Sequence, residues 1–425
     1  MKKLYLLVAS IVILAGTINA QEYLKRTYSV TVWNDQSYGT AITYSNTPTN
    51  LPYDWYFPTN APLKLRPLII FIHGGAFFEP NLLRNQQHIV AFCDSMAARG
   101  YLVASIDYRL DAPPVSGITP NRAVLNAAHD AKAAVRLFKY LAPFVSIDTN
   151  LIFVAGESAG AVTALNVSYM NTISELSFPA ATPYGNITSV EGNSGGLLGT
   201  QNFSSRVAGS ISLCGGTSSP FFGNYFDPSA MKLPLKDLEK PLLMVNDIFD
   251  VIIPYSGAQE ILSYVNQTLP PSFYGVYTYT ASAPATGNHC PWIFTSTVVP
   301  VVPTAQELRD LDTLVKVTSR YLHNIVDNAD ILLKNGKSVL YENKNSVNLF
   351  PNPNKGLFNL QVIMDEANIR KYRLKVFDLL GKEVLDQPII RSNTEIDLTD
   401  QPQGIYSIKV TDTDGGVTIH KVVVQ

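Results

Sequence analysis

The sequence predicts an α/β fold, with a mostly parallel central sheet and flanking helices, followed by a small all-β sandwich. Three observations carry this. Short unbroken apolar runs alternate with helical patterns from about residue 67 to residue 168, the order expected of strands buried on both faces and joined by crossover helices. One of those runs, residues 151–155, passes directly into Gly156-Glu157-Ser158-Ala159-Gly160 and then into an Ala-rich helical pattern. Beyond about residue 347 the pattern changes to short alternating runs broken by Gly, Pro and Asn, which reads as antiparallel strands.

Length and composition bound these elements. A chain of 425 residues implies two or three domains, and 46% hydrophobic with 16% charged residues is ample for a large core. A net charge of −2 without a Lys/Arg-rich block argues against nucleic acid as a partner. Residues 1–20 read as a secretory signal, with Lys2 and Lys3 before an apolar run over 4–15 and a polar stretch ending at Ala20. That run is short for a membrane span and no second long one follows, so no integral membrane segment is expected after cleavage near Gln21. Only Cys93, Cys214 and Cys290 occur, too few for a stapling framework. Cys93 and Cys214 read best as buried small apolar residues, whereas Cys290, beside His289, fits either class.

In chain order, residues 23–33 and 53–58 alternate as edge strands do, and 67–72 is the first strongly apolar strand. It runs into His73-Gly74-Gly75-Ala76-Phe77-Phe78, where two glycines let successive backbone amides point at one spot. A helical pattern over 85–99 ends at Gly100, a strand follows at 102–106, and a long amphipathic helix at 122–141 presents Ala127, Ala128, Ala131, Ala134 and Val135 on one face. Gly156 to Gly160 fits G-x-S-x-G, a sharp strand-to-helix turn that exposes Ser158 and needs small residues two positions either side. The Ala159 amide then lies at a helix N-terminus, where an oxyanion is favoured, and the Gly75 and Ala76 amides are expected to join it. Residues 171–206, rich in Gly, Ser, Asn and Thr, form an insertion that reads equally as a cap over a pocket or as a surface loop. Strands are expected at 207–213, 241–245 and 275–281, and a last helix at 305–333. Among six histidines, His289 remains after those on helices, in the oxyanion loop and in the tail are set aside.

HGGAFF, DYRL (107–110), HDAKAAVRLFK (129–139) and IFVAGESAG (152–160), taken in order, resemble the secreted carboxylesterases and lipases of the α/β-hydrolase superfamily over about residues 48–326. Ala76 stands where many relatives carry a third glycine. The resemblance implies an acid in the loop after the 241–245 strand, for which Asp250, four residues before Pro254, is the first candidate and Asp247 the second. His289 then completes the chain order Ser, Asp, His. It implies that Ser158 attacks, His289 takes its proton and Asp250 orients the imidazole. Phe77 and Trp292 are expected to line an apolar pocket; Phe221, Phe222, Tyr225 and Phe226 crowd nearby loops.

The tail resembles the type A C-terminal sorting domain of the type IX secretion system, through NPNKG at 352–356, GKEV at 381–384, GIYSIKV at 404–410 and a strand at the very end. The expected organisation is a signal over 1–20, a catalytic domain over 21–338, a polar linker over 339–347 and a sorting domain over 348–425. The expected function is an exported serine esterase, secreted or held at the cell surface, using neither cofactor nor metal. Its partners are an acyl, aromatic or polymeric ester, lipids and polyesters included, and the type IX machinery. A serine peptidase or acyltransferase on the same fold, or a non-catalytic surface adhesion protein, stand as alternatives.

Overall fold

The structure, a computed structural model, describes residues 22–43, 45–62, 64–111, 120–175, 181–182, 185–186, 189–192, 200, 202–220, 223–224, 226, 240–268, 274–279, 289–294, 302–327, 346–350, 354–363, 372–378, 382–389, 391, 393–411 and 417–425. The proposed signal, the Phe221, Phe222 and Tyr225 aromatics, most of the linker and part of the 171–206 insertion lie outside them. The chain divides into two compact units, Met1–Tyr140 with Ile147–Leu332, and Leu141–Ser146 with Leu333–Gln425.

The first unit is built on an eight-stranded sheet. Its strands are β1 (Ser29–Ile42), β2 (Pro48–Thr59), β3 (Arg66–Ile72), β4 (Leu102–Ile106), β5 (Ile147–Glu157), β6 (Gly209–Leu213), β7 (Leu242–Asp247) and β8 (Tyr274–Tyr279), in spatial order β1-β2-β4-β3-β5-β6-β7-β8. From β4 through to β8 every pairing is parallel, while β1 and β2 form an antiparallel ribbon that pairs antiparallel with β4. The central strands are apolar on both faces because both faces are covered. Leu243 and Val245 of β7 join a core with Phe92 and Met96 of α1 (Gln87–Ala97) and Leu314 and Leu322 of α5 (Ala305–Asp327). The intervening Leu242 and Met244 pack instead with Leu165 of α3 (Ala159–Tyr169) and Ile261 of α4 (Tyr255–Thr268). The expected alanine face of α2 (Pro120–Val145) is fully buried at Ala127, Ala128, Ala131 and Ala134.

One strand differs from expectation. Residues 23–28 lie outside the strand: Tyr23 has φ of 70°, and the edge strand starts at Ser29 and runs on through polar residues to Ile42. An edge strand with one neighbour tolerates such a sequence, and β1 is bulged twice against β2.

Among the described residues, the second unit holds two antiparallel sheets. One holds β9 (Ser346–Phe350), β10 (Leu357–Ile363) and β13 (Asn393–Asp397) in the order β9-β10-β13. The other runs β12-β11-β14-β15, with β11 (Tyr372–Phe377), β12 (Glu383–Ile389), β14 (Gly404–Thr411) and β15 (Val417–Val424). Alternate residues, Phe358 and Leu360, Leu374 and Val376, Tyr406, Ile408 and Val410, meet in one core, as period-2 patterning requires of a sandwich.

Candidate active site

Ser158 stands between β5 and α3 with φ of 52° and ψ of −119°, a left-handed conformation for a residue with a Cβ. The turn is held by close backbone approach: a Cβ on Gly156 falls 2.2 Å from the Gly160 carbonyl oxygen, and one on Gly160 falls 2.0 Å from that of Ile72. Only hydrogen fits at either position. The Ser158 amide donates to the Leu213 carbonyl at 2.9 Å, which ties the turn to the end of β6.

Two loops at the same ends of the strands bring the remaining groups. His289 Nε2 lies 2.7 Å from Ser158 Oγ, and His289 Nδ1 lies 2.7 Å from Asp250 Oδ2. The other carboxylate oxygen of Asp250 accepts the amides of Ile252 at 2.8 Å and Ile253 at 3.0 Å, which fixes its direction. The Asp250 side chain is sealed from solvent, while His289 keeps 18% of its side chain exposed. Asp247, the second candidate acid, accepts the Phe249 amide at 2.8 Å and shapes the turn instead.

The loop after β3 passes beside Ser158. A Cβ on Gly74 falls 3.3 Å from the Cβ of Ser158, so the backbone here lies against the nucleophile. Gly75, Ala76 and Phe77 take φ of 100°, 52° and 69°, three left-handed residues in succession. Ala76 carries the strain that a glycine avoids. Among the described residues, the amides of Gly75, Ala76 and Ala159 have no hydrogen-bond acceptor. Tyr108 steadies the loop from below, its hydroxyl donating to the Gly74 carbonyl at 3.1 Å and its ring stacked on His73 at 4.4 Å. Burial pushes the His73 imidazole below its usual range, so it is neutral and donates from Nδ1 to the Gly74 carbonyl.

Trp292 is a correction to the sequence expectation of a pocket wall. It is 1% exposed in the core, and its indole N–H donates to Glu157 Oε2 at 3.1 Å. Phe77 is also buried, its ring centroid 6.2 Å from that of Tyr108. Phe226 packs against Tyr169, away from Ser158 in the α3–α4 core. Cys214 is a second correction, since it forms a disulfide with Cys290, 76 residues away, while Cys93 is the buried free thiol. The grouping of Cys214, His289 and Cys290 is of metal-ligand type, but the two sulfurs are joined to each other.

Glu157 and His88 also belong to the site, though neither is marked by a motif role in the sequence. Glu157 is 1% exposed beneath the nucleophile, and His88 Nε2 donates to its Oε1 at 2.8 Å. Burial pushes the Glu157 carboxyl up, but His88 and the Trp292 N–H outweigh it and hold the group below the usual carboxylate range. A buried Glu inside the motif is a signal for such a partner, since an unpaired carboxylate is not tolerated there.

A strained serine on a strand-to-helix turn, facing a histidine at the ends of a parallel sheet, defines the α/β-hydrolase class. Residues 53–194 match the BD-FAE family model, an α/β-hydrolase-like esterase domain, and residues 348–425 match the secretion system C-terminal sorting domain. The chain thus carries an esterase-type hydrolase domain and a type IX sorting tail, an address for the cell surface or the medium. Among solved structures, Thermogutta terrifontis esterase 2 phosphoramylated by tabun is similar at 14% identity with a TM-score of 0.46, covering 69% of this chain and 94% of that one. A truncated form of carbohydrate esterase from gut microbiota is similar at 18% identity with a TM-score of 0.44, covering 69% and 98%. A 128-residue stretch is 27% identical to the non-reducing polyketide synthase pkbA of Emericella nidulans, spanning 30% of this chain and only 5% of that protein.

Proposed function

We propose that the protein is an exported serine esterase that cleaves carboxylic esters through an acyl-enzyme on Ser158. The observation that supports this most directly is the unbroken line Ser158 Oγ, His289 Nε2, His289 Nδ1, Asp250 Oδ2, with 2.7 Å at each hydrogen bond. Ser158 Oγ attacks the ester carbonyl carbon as its proton passes to His289 Nε2. The carbonyl oxygen, now negative, is received by the amides of Ala159, Gly75 and Ala76, donors without another acceptor to give up. Asp250 holds the neutral imidazole in the tautomer that serves Ser158 and stabilises the imidazolium that forms. Collapse expels the alcohol, which takes the proton from His289, and water then releases the acid by the same steps in reverse order. Esters met outside the cell are the substrate class that the sorting tail favours.

Hydrolysis of 4-nitrophenyl acetate and butyrate by the wild type, beside Ser158→Ala and Asp250→Asn, tests the reading. The expected kcat losses are roughly 10⁶-fold for the first and about 10⁴-fold for the second, with thermal unfolding unchanged. A folded wild type that neither turns over these esters nor reacts with a fluorophosphonate probe overturns it.

A further inference from the structure

His289 reaches Ser158 from residues 289–294, which belong to no helix or strand. Whatever fixes this segment therefore sets the 2.7 Å contact to the nucleophile. Two side chains on it are anchored. Cys290, the next residue after His289, is bonded to Cys214 with the Cα atoms 5.6 Å apart. Trp292 donates to Glu157, the residue before Ser158.

The far end of the disulfide is itself rigid. Cys214 follows the last residue of β6, its amide donates to the Val245 carbonyl of β7 at 2.7 Å, and the neighbouring Leu213 carbonyl holds the Ser158 amide. Base loop and nucleophile turn thus share one anchor at the end of β6. Both cysteines are buried and left-handed, with φ of 49° at Cys214 and 52° at Cys290. Such backbone persists only where its surroundings over-determine it.

From this geometry we propose that Cys214 and Cys290 are positioning residues, their disulfide setting His289 within reach of Ser158, so that full turnover appears only after the two thiols are oxidised. This rests on the serine esterase reading above. In the oxidation, two thiols lose two protons and two electrons and gain an S–S bond. The electrons pass through a mixed disulfide to the disulfide of an oxidant, which leaves as a dithiol or as two thiols. A reducing cytosol keeps the pair open, and an oxidising compartment reached on export closes it. The hydrolase is then held back until it has left the cytosol. The separation of 76 residues explains why no local pattern marks the pair.

The test uses the oxidised full-length protein and 4-nitrophenyl acetate. kcat and KM are measured before and after dithiothreitol, with free thiols counted from one to three, and again after reoxidation with oxidised glutathione. Near-UV circular dichroism gives the folded fraction, so that kcat is expressed per folded molecule. A drift of the base by ~1 Å costs about 10²-fold, so kcat is expected to fall by roughly 30- to 100-fold with KM within about twofold, and to return on reoxidation. The Cys214→Ala/Cys290→Ala double variant is expected to show the same low kcat and indifference to reductant. An unchanged kcat per folded molecule in both the reduced wild type and the double variant overturns the proposal. So does loss of every folded molecule in both, since the bond is then a stability element alone. An inactive oxidised wild type instead defeats the esterase reading, and the two failures are told apart.

Discussion

A methyl group at position 160 meets the Ile72 carbonyl oxygen at 2.0 Å and the His73 carbonyl oxygen at 2.6 Å, both of them backbone atoms that cannot rotate aside. Gly160→Ala is therefore expected to lose ~3 kcal/mol or more of stability, together with activity, as α3 is pushed off β3. Thermal unfolding checks this, and a variant melting within a degree or two of the wild type contradicts the steric argument. Gly74→Ala makes a sharper case, because its nearest contacts are 3.3 Å, to Ser158 Cβ and the Glu157 carbonyl. It is expected to fold with a small loss and to lower kcat by about tenfold through pressure on the nucleophile. Gly160 was legible because a five-residue spacing reports contacts made within and next to that turn, and Gly74 because two adjacent glycines after a buried strand mark a loop of exposed backbone. Glu157 was not, since its partners His88 and Trp292 lie 69 and 135 residues away and the motif leaves its position open to any residue. Glu157→Gln keeps an acceptor for Trp292 but strips His88 of a charged partner, and a loss of about 1–3 kcal/mol is expected on chemical denaturation.

Between residue and molecule, the contact of α2 with residues 189–192 is where pH acts. His129 Nε2 donates to the Ser189 carbonyl at 3.1 Å, and Glu191 accepts Lys132 at 3.3 Å, Arg136 at 2.9 Å and the Ser205 hydroxyl at 2.7 Å. Burial, then the nearby Arg109 and Lys132 charges, push the His129 imidazole down to about 4. Burial raises the Glu191 carboxyl, but Lys132, Ser205 and Arg136 bring it below the usual range. Both shifts have the same sign in stability. Between pH 6.5 and about 4 the unfolded chain binds a proton at His129 that the folded chain refuses, so stability falls as pH falls, by on the order of 3 kcal/mol. Glu191 adds a further loss as pH falls below 4.5 and through its folded value. His129→Gln is expected to flatten the decline of Tm between pH 6.5 and 4, measured by scanning calorimetry, and an unchanged slope there removes His129 as its source. The helix itself was readable from its alanine spacing. Its partner segment was not, because a polar, Gly-rich stretch reads equally as cap or loop until Lys132 and Arg136 are seen to hold it. The same holds at the edge of the sheet, where β1 owes its length to pairing with β2 rather than to its own alternation.

The shift in pattern near residue 347 was the most legible feature of the whole chain, because alternation with turn residues is a local signal repeated strand after strand. Its core needs no long-range pairing information beyond period 2, as Phe358 and Leu360 or Ile408 and Val410 show. The disulfide lies at the other extreme, since three cysteines with an odd count leave the pairing open and only the sheet order brings Cys214 and Cys290 together. The match of residues 348–425 to a sorting domain, separate from residues 53–194 that match the BD-FAE model, divides the proposed roles of export and hydrolysis between two segments of the chain. Deleting residues 348–425 in a host that carries type IX machinery is then expected to leave ester hydrolysis in the lysate while abolishing it in the medium and on intact cells. The proposed activity is expected to be trapped behind the outer membrane rather than lost, because none of Ser158, Asp250 and His289 belongs to the deleted segment. Fractionation with 4-nitrophenyl butyrate as reporter checks it. Activity still reaching intact cells or medium in the deleted chain shows that the tail is dispensable for export, whereas activity missing from every fraction shows that the tail is needed to obtain a folded hydrolase. The double cysteine variant in the same host separates location from oxidation, since it is expected outside the cell with the full tail in place and yet slow.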